Sequence, residues 1–565
     1  MSSKNYVIIG GVACGPKAAA RAKRLDPEAN VTIIEQGSAL SYAGCGMPYY
    51  IAGRVPELRE LMSTPIGVPR NVPYFRNVKG INVYSRRQVI SVQRDVKTVH
   101  SVDLDTGERH ELPYDKLVLA TGGYSILPPI PGIRLDRVFG LREPRHASAI
   151  RDAVVSGSVS KVVIIGGGLI GLEMSEALAE RGVHVTIVER QPRILPNLLD
   201  EDTARFFSRH LEAKGVDVLV DESVEQINGE LGAVTSVTTT RREISADMVL
   251  VSLGVRPRSD LAKEMGLELG AHGGILVNER MQTSDPDIFA GGDCVLSKHL
   301  LTGDWTYTPL GSVANKHGRV IGTNLVGGDE TFPGVVGTGV VKAFDYNLGC
   351  TGLSERAARE RGHAVVTTLC PGSDRAHYFP GAATLLVKLI ADAKSRKVLG
   401  AQILGPGDAV KRVDVLATAL RFGATVDDLA TLDLGYSPPF SEAMDNLHQA
   451  ANILRNKIDG VAEGLSPFEV RAKLDGGEDL ILLDVRSPGE VETLRIDVPN
   501  VEYVPLGKLR TELAKLPKDK PIVTFCKVSL RGYEALRILR GAGFEDVRFM
   551  DGGVVAWPFD YETGP

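Results

Sequence analysis

The chain has 565 residues, of which 43% are hydrophobic and 24% charged, and its formal net charge is −5. This length predicts three or four domains, each with its own core, and the small negative charge argues against a general nucleic-acid-binding surface. No apolar run approaches the ~20 residues that cross a bilayer. Six cysteines in so long a chain argue against a disulfide framework and for a reducing compartment, and their spacing suggests no zinc site. We therefore predict a cytoplasmic globular protein.

The first 35 residues have the pattern of a βαβ unit. An apolar strand over residues 6–9 enters a glycine turn, a helix follows, and a second strand over residues 31–34 ends at an acidic residue. An acid about 20 residues past the glycines is typical of dinucleotide binding, where it accepts from a ribose hydroxyl. Because Val12 replaces the middle glycine, this motif alone fits a turn without ligand equally well. The candidate cofactor-binding residues are Gly10, Gly11, Val12, Ala13, Gly15 and Glu35.

Residues 41–50 (SYAGCGMPYY) place Cys45 between two glycines, just past this unit. The glycines allow the backbone to approach a flat ligand closely. Pro48 is typical of the first turn of a helix, and a helix N-terminus favours a thiolate, so we expect a lowered pKa for Cys45. By itself the segment favours a buried, small apolar cysteine, which is the usual fate of a free cysteine. The motifs that follow favour a reactive one.

A second βαβ unit begins with a strand over residues 162–165. Its fingerprint is complete, with glycines at Gly166, Gly168 and Gly171, and its second strand ends at Glu189. Two such units imply two dinucleotides. Glu189 would accept from a ribose 2′-hydroxyl and repel a 2′-phosphate, which favours NADH. Arg190 beside it softens that preference, so NADPH is the alternative.

Residues 117–123 (LVLATGG) and 283–293 (TSDPDIFAGGD) complete four ordered motifs. Over residues 1 to about 450, this order resembles the pyridine nucleotide–disulfide oxidoreductase flavoproteins. The resemblance implies an α/β fold in which a Rossmann-like FAD-binding domain spans residues 1–150 and 281–330. A Rossmann-like NAD(P)H-binding domain would span residues 151–280, and an α+β dimerisation domain residues 331–454 of a homodimer. It also adds flavin-site residues, with the aspartate at the ribityl chain: Ala120, Thr121, Gly122 and Asp293.

Many members of that family carry two cysteines near the flavin, whereas this chain resembles the single-cysteine branch. That branch includes coenzyme A-disulfide reductase, NADH oxidase and peroxidase, and NADH-dependent persulfide reductase. Residues 41–49 match its segment S-F-x-N-C-G-x-P-Y, although Gly44 replaces the asparagine. The resemblance implies that Cys45 is the redox-active residue and that Ser41 lies at the substrate. With one protein cysteine, the second sulfur must come from the substrate, or a sulfenic acid must cycle.

Residues 376–381 (AHYFPG) and 434–440 (LGYSPPF) resemble two segments of the branch's dimerisation domain. The resemblance implies that Tyr378 and Tyr436 reach across the dimer toward the substrate sulfur; the alternative is that they are core or interface tyrosines. Coenzyme A also needs partners for its phosphates. For Lys79 alone, a solvated basic residue is the better interpretation. The candidate residues are Arg21, Arg24, Lys79, Asn315 and Arg319.

Residues 455–465 have the composition of a polar connector, and a new α/β pattern follows. A strand over residues 521–525 runs into Cys526, and we expect a helix from Tyr533 onward. The backbone N–H groups of such a loop suit a thiolate or a persulfide anion. With residues 481–486 (ILLDVR), residues 551–553 (DGG) and Trp557, the segment 462–565 resembles a rhodanese domain. The resemblance implies that Cys526 carries sulfane sulfur and that Arg531 closes the loop; a degenerate docking module is the alternative.

Together these features predict an FAD-dependent, NAD(P)H-driven reductase of coenzyme A disulfide, coenzyme A persulfide or polysulfide, which releases thiol and hydrogen sulfide. Sulfane sulfur would be handled by the rhodanese domain. One alternative is an NADH oxidase or peroxidase in which Cys45 cycles through a sulfenic acid. Another is a redox-sensing protein that binds NADH without fast turnover. The four other cysteines are predicted to pack in the interior: Cys14, Cys294, Cys350 and Cys370.

Overall fold

The computed structural model describes residues 3–563 of the chain. Its internal contacts define two compact units. The first unit runs to Arg190 and resumes over Leu219–Val335, and the second comprises Gln191–Val218 and the chain from Val336 onward. Among the described residues, no helix combines the length and apolar character that a membrane span requires.

The helices of the described residues begin and end as follows: α1 (Cys14–Leu25), α2 (Met47–Ala52), α3 (Val72–Lys79), α4 (Pro144–Val155), α5 (Leu169–Ala179), α6 (Glu201–Ala213), α7 (Asp260–Glu264), α8 (Gly311–Leu325), α9 (Glu355–Glu360), α10 (Ala409–Arg421), α11 (Val426–Ala430), α12 (Asn446–Ile458), α13 (Pro467–Asp475), α14 (Pro488–Thr493), α15 (Leu506–Glu512) and α16 (Leu530–Gly541).

The strands up to the end of the first unit are β1 (Asn5–Ile9), β2 (Asn30–Ile34), β3 (Asn82–Tyr84), β4 (Arg87–Gln93), β5 (Thr98–Asp103), β6 (Arg109–Pro113), β7 (Lys116–Leu119), β8 (Gly123–Ser125), β9 (Val138–Gly140), β10 (Lys161–Ile165), β11 (His184–Val188), β12 (Val216–Leu219), β13 (Val224–Glu230), β14 (Ala233–Thr239), β15 (Glu243–Ser245), β16 (Met248–Val251), β17 (Val255–Pro257), β18 (Ile288–Ala290), β19 (Ser297–Lys298) and β20 (Trp305–Thr306).

The remaining strands are β21 (Gly339–Ala343), β22 (Tyr346–Gly352), β23 (Val365–Ser373), β24 (Thr384–Asp392), β25 (Val398–Gly405), β26 (Gly464–Leu465), β27 (Ile481–Asp484), β28 (Leu494–Ile496), β29 (Val501–Tyr503), β30 (Ile522–Phe525), β31 (Val547–Met550) and β32 (Tyr561–Thr563).

Two parallel sheets organise the first unit. One has the order β18-β7-β1-β2-β3, and in the other β11, β10, β16 and β9 are successive neighbours. Strands β1 and β10 lie inside their sheets, and their apolar side chains are almost fully buried, as in parallel sheets covered on both faces. Each of these two strands ends in one of the predicted glycine turns. The two predicted βαβ units are therefore confirmed.

The second unit contains an antiparallel sheet of order β21-β22-β25-β24-β23, on which α10 and α12 pack. A separate parallel sheet of order β26-β31-β30-β27-β29 follows in the chain. Its strand β30 leads directly to Cys526, as predicted. Ser466 caps α13 and Pro467 occupies its first turn.

Two predicted boundaries near the end of the chain are wrong. Helix α16 begins at Leu530, because the N–H of Tyr533 already bonds the carbonyl oxygen of Ser529 at 2.9 Å. Arg531 therefore lies in the first helical turn. The predicted polar connector over residues 455–465 is shorter than expected: α12 continues to Ile458, residues 459–463 lie between elements, and Gly464–Leu465 form β26, which pairs with β31. The polar composition of this stretch suggested solvent exposure, but Lys457 within it is buried and paired with Asp551.

Candidate active site

The first glycine turn leaves no room for side chains at two positions. Gly10 has a φ of 115°, and a Cβ atom there would lie 2.1 Å from the carbonyl oxygen of Ala120. A Cβ atom on Gly15 would lie 2.0 Å from the oxygen of Gly10. The carboxylate of Glu35 accepts a 2.6 Å bond from the N–H of Gly11, so the acid closing β2 lies over the turn. This arrangement fits a dinucleotide whose ribose meets Glu35.

The other predicted flavin-site segments meet this turn at the ends of β7 and β18. The hydroxyl of Thr121 donates to the carbonyl oxygen of Arg258, and the N–H of Gly291 bonds the oxygen of Leu119 at 3.0 Å. The Asp293 carboxylate lies 2.9 Å from the guanidinium of Arg142. The structure thus brings Ala120, Thr121, Gly122 and Asp293 to the same end of the sheet as the first glycine turn.

Three side chains that the sequence did not single out hold the Asp293 turn. Arg142 pairs with the carboxylate, and the hydroxyl of Tyr307 donates to the Asp293 carbonyl oxygen at 3.0 Å. The Nδ1 atom of buried His317 accepts a 3.2 Å bond from the N–H of Gly292. Burial lowers the pKa of His317 to about 4, so the ring stays neutral and can accept. No local sequence signal marks these residues, because each is far from Asp293 along the chain or shares no motif with it.

Cys45 lies in a short 3-10 turn, Gly44–Gly46, directly before α2. The N–H of Ser41 bonds the oxygen of Gly11 at 2.8 Å, which attaches this segment to the first glycine turn. The N–H of Ala43 bonds the oxygen of Leu61, also at 2.8 Å. Cys45 is exposed, whereas the other five cysteines are buried and free. The exposure of Cys45 fits the predicted reactive position, and the burial of Cys14, Cys294, Cys350 and Cys370 fits the predicted packing positions. Cys526, predicted to carry sulfane sulfur, is buried as well.

The prediction that the pKa of Cys45 is lowered is wrong, because the surrounding protein groups raise it. Desolvation raises the pKa of this thiol, and the carboxylates of Glu173 and Asp293 raise it further. A backbone hydrogen bond and the Arg142 guanidinium act in the opposite direction but more weakly. Helix α2 has six residues, so its dipole is small, and Glu173 comes from α5 in the second βαβ unit. The sequence around Cys45 gives no sign of that carboxylate.

Replacing Glu173 with glutamine is expected to make Cys45 ionise at lower pH. Burial raises the pKa of the Glu173 carboxyl to about 7, and Glu176 adds to the effect. The carboxyl is neutral below that pH and negative above it, where it opposes the Cys45 thiolate. The variant should therefore alkylate faster with iodoacetamide, most clearly above pH 7. The control is Glu180→Gln on the same helix, which should leave the profile unchanged. An unchanged profile for Glu173→Gln would contradict the electrostatic coupling.

The second glycine turn repeats the geometry of the first. Gly166 has a φ of 106°, and a Cβ atom on Gly171 would lie 2.4 Å from its carbonyl oxygen. Around the middle glycine, Gly168, a Cβ atom would meet nothing closer than 3.9 Å, which leaves open space above the turn. The buried carboxylate of Glu189 accepts from the N–H of Gly167 at 2.9 Å. These residues fit a second dinucleotide.

Glu189→Gln is expected to raise kcat/KM with NADPH at least tenfold relative to NADH. The amide keeps an acceptor for the Gly167 N–H but removes the charge that would repel a 2′-phosphate. Initial rates with the two reductants measure the ratio. The control is Glu230→Gln, an exposed acid in β13 of the same unit. A ratio that stays at the parent's value would show that Glu189 does not select the reductant.

Two of the arginines predicted to bind the coenzyme A phosphates, Arg21 and Arg319, lie on α1 and α8, two helices that pack closely. A Cβ atom on Gly322 would lie 2.5 Å from the oxygen of Ala18. Arg21 donates to the hydroxyl of Thr323 at 3.1 Å, and Thr323 donates to Glu330, which also pairs with Arg319 at 2.8 Å. Arg21 and Arg319 are thus brought together around one carboxylate.

The three other residues predicted for the coenzyme A phosphates lie outside this hydrogen-bonded group. Arg24 on α1 and Asn315 on α8 are exposed. Lys79 ends α3, and its ammonium lies 5.4 Å from the ring centroid of Tyr74. Lys79 therefore has the environment of an ordinary surface lysine, in keeping with the preferred interpretation of its sequence.

The segments that carry Tyr378 and Tyr436 lie together in the second unit, and both tyrosines are exposed. The N–H of Ala376 bonds the oxygen of Pro438 at 3.2 Å. Beneath them, Arg412 is fully buried.

The guanidinium of Arg412 connects the two tyrosine segments at their bases. It donates to the carbonyl oxygen of Asp374, two residues before the first segment, at 2.6 Å. It also lies 2.7 Å from the carboxylate of Asp445, five residues after the second segment. One buried cation therefore holds both segments.

Cys526 is fully buried at the end of β30. The N–H of Ser529 points to its sulfur at 3.3 Å, which confirms that the loop offers a backbone donor to the sulfur. Arg531 pairs with Glu490 through two bonds of 2.8 and 2.7 Å and also interacts electrostatically with Cys526. Arg531 therefore lies at the loop, as predicted, although its strongest partner is Glu490 of α14.

Comparison with known families agrees with this architecture. Residues 4–318 match the pyridine nucleotide-disulphide oxidoreductase model, and residues 339–448 match the dimerisation domain of the same family. The chain belongs to the pyridine nucleotide-disulphide oxidoreductase family. Residues 466–558 match the rhodanese-like domain. The predicted fold class is therefore confirmed. The protein is an oxidoreductase of a family that uses FAD and NAD(P)H, with a dimerisation domain and a C-terminal rhodanese-like domain.

Individual relatives of this oxidoreductase act on sulfur. It is 37% identical over 453 residues to the NAD(P)H coenzyme A polysulfide/persulfide reductase of Pyrococcus horikoshii, covering 80% of this chain and 98% of that protein. The structure of a NAD-dependent persulfide reductase from A. fulgidus is 42% identical, has a TM-score of 0.94, and matches 98% of this chain and 100% of that one. Reduced CoADR-RHD of Bacillus anthracis is 34% identical with a TM-score of 0.91, covering 99% and 98%.

Proposed function

We propose that this oxidoreductase uses NAD(P)H to reduce coenzyme A persulfide, coenzyme A disulfide or polysulfide, and that Cys526 handles sulfane sulfur. The observation that carries the proposal is the position of Cys45. It is an exposed cysteine in a segment that the hydrogen bond from Ser41 attaches to the first glycine turn, while the other five cysteines are buried. The names of the sulfur-reducing relatives support the same acceptor class.

The chemistry requires one protein thiolate and one substrate sulfur. The Cys45 thiolate attacks the S–S bond of coenzyme A persulfide, so that a Cys45–coenzyme A disulfide forms and hydrosulfide leaves with the bonding pair. Two electrons and a proton then restore the Cys45 thiolate and release coenzyme A as the thiol. Bound FAD would relay the two electrons from NAD(P)H to this disulfide. The sum is coenzyme A persulfide, NADH and one proton giving coenzyme A, hydrogen sulfide and NAD⁺.

The protein side chains divide the remaining tasks. Gly10, Gly15, Glu35 and Asp293 would hold FAD, while the turn from Gly166 to Gly171 with Glu189 would hold the nicotinamide nucleotide, with NADH preferred. Arg21 and Arg319 would bind the phosphates of coenzyme A, with Arg24 and Asn315 at the edge of that site. In a homodimer, Tyr378 and Tyr436 would donate hydrogen bonds to the substrate sulfur. The structure does not favour a binding role for Lys79.

The test compares acceptors under anaerobic and aerobic conditions. NADH consumption by the FAD-loaded chain is measured with coenzyme A persulfide, coenzyme A disulfide, hydrogen peroxide or oxygen as the acceptor. The proposal expects sulfur acceptors to be turned over at least tenfold faster than peroxide or oxygen. Faster peroxide or oxygen turnover would instead indicate a sulfenic acid cycle at Cys45. The absence of steady-state turnover with every acceptor would indicate a redox-sensing protein. The rhodanese-like domain favours the sulfur acceptors, because peroxide reduction has no use for a second sulfur-binding cysteine.

A further inference from the structure

We infer that Lys457, at the end of the helix that leaves the dimerisation domain, is a positioning residue for Cys526, so that the sulfur-carrying loop of the rhodanese-like domain is completed by a residue outside that domain. The inference rests on the proposed role of Cys526 in sulfur transfer. It starts from a buried ion pair between Lys457, in the last turn of α12, and Asp551, which directly follows β31.

Both side chains of this pair are removed from solvent, with 8% of Lys457 and 4% of Asp551 exposed. Lys457 also donates to the carbonyl oxygen of Thr367 in β23 at 2.8 Å. Burial raises the pKa of Asp551, and the ammonium of Lys457 counteracts that shift. Without Lys457, Asp551 would be an unpaired buried carboxylate that must either take up a proton or move toward water.

The residues after Asp551 form one wall of the Cys526 loop. The N–H of Gly552 donates to the hydroxyl of Ser529 at 2.7 Å, and the N–H of Val554 donates to the carbonyl oxygen of Cys526 at 3.0 Å. A Cβ atom on Gly553 would lie 2.2 Å from that same oxygen. The loop and the segment that follows Asp551 are therefore in direct backbone contact, and a shift of one displaces the other.

Ser529 makes the loop sensitive to such a shift. Its φ of 141° is rare for a residue with a side chain and persists only where the surroundings impose it. The imposed conformation points the Ser529 N–H at the Cys526 sulfur. The hydroxyl of Ser529 is in turn fixed by Gly552. Release of Asp551 would thus remove a support of the donor that faces the sulfur.

The test measures sulfur transfer separately from reduction, with thiosulfate as the donor and cyanide as the acceptor. The Cys526 thiolate attacks the outer sulfur of thiosulfate, the S–S bond breaks, and sulfite leaves with the bonding pair. Cyanide then attacks the outer sulfur of the Cys526 persulfide, and thiocyanate and the thiolate result, with no net oxidation. The Cys45→Ser background confines sulfur loading to Cys526. Reduction of coenzyme A disulfide by NADH is measured in the Cys45-intact chain.

Lys457→Met is expected to lower kcat for thiocyanate formation at least about tenfold. KM for thiosulfate and the rate of coenzyme A disulfide reduction should stay within about twofold of the parent's. Lys457→Arg keeps the charge and should recover most of the lost kcat, and Asp551→Asn should match Lys457→Met without adding to it. The control is Lys473→Met, which removes a lysine of α13 that pairs with Glu478 near the surface.

Each other outcome has a definite meaning. Lys457→Met with the parent's sulfur-transfer rate would overturn the inference. An equal loss of coenzyme A disulfide reduction would also overturn it, because Lys457 would then support the whole chain and not the loop. A parent chain that loads no sulfur on Cys526 would overturn the proposed role of Cys526 together with the inference, whereas a parent that loads sulfur and a variant that transfers it equally fast would overturn the inference alone.

Discussion

A chain in which serine replaces Cys45 is expected to release hydrogen sulfide from coenzyme A persulfide at least about 1000-fold more slowly than the parent. A serine hydroxyl is a poor nucleophile at neutral pH and cannot form the disulfide with coenzyme A. Of the five remaining cysteines, four are buried packing residues, and buried Cys526 would carry sulfur in the proposed reaction without replacing Cys45 as the reducing thiol. Anaerobic sulfide release driven by NADH is the measurement.

The matched control for this variant is Cys350→Ala. Cys350 lies buried in β22 of the antiparallel sheet, where its thiol has no chemical role in the proposed reaction. Its replacement should keep the sulfide release within about twofold, since removing one buried sulfur mainly affects packing. If Cys45→Ser keeps the parent's rate while its FAD remains bound, the proposed mechanism is wrong.

Loss of the Cys526 sulfur is expected to remove all sulfur loading from the rhodanese-like domain. In the Cys45→Ser background, a chain with Cys526 intact should gain one sulfur atom from polysulfide. Mass spectrometry of the intact protein would detect this as an increase of one sulfur in mass. With Cys526→Ala, no added sulfur should remain after desalting, because burial raises the pKa of each of the four other thiols: Cys14, Cys294, Cys350 and Cys370. Burial raises the pKa values of Cys350 and Cys370 to about 12, which leaves almost no thiolate at neutral pH.

Cys370→Ala serves as the control here, since Cys370 lies in β23 of the same unit and is equally buried. That variant should load sulfur as the parent does. Equal loading in Cys526→Ala and the parent would mean that the cysteine at the end of β30 is not the carrier, and the degenerate docking module would become the better interpretation.

Much of the fold follows from local sequence patterns. Both βαβ units could be predicted because a short apolar strand, a glycine turn and a closing acid lie within one stretch of chain. Gly10 and Gly166 show why these turns can be recognised in the sequence. Each adopts a positive φ and has a backbone oxygen where a side chain would be, so glycine is required at both positions. The strand before Cys526 and the cap at Ser466 are equally local features, and they too were predictable.

What sequence could not supply are contacts between residues distant along the chain. Glu173, from another βαβ unit, adds to desolvation in raising the Cys45 pKa, opposite to the shift expected from the helix that follows this cysteine. Arg142 and Asp293 meet only in the fold. Lys457 lies in a stretch that has the composition of a linker, and only its buried partner Asp551 shows otherwise. The roles assigned to Tyr378 and Tyr436 stay predictions, because they depend on a second subunit.

The complete burial of Cys526 has a consequence for how long bound sulfur survives. A persulfide at a surface would be stripped within moments by the abundant small thiols of a reducing compartment. A persulfide on buried Cys526, beside Arg531 and its partner Glu490, would be shielded from such chance encounters. The domain would therefore protect its bound sulfur. It would release that sulfur only to an acceptor whose size and shape allow it to reach Cys526.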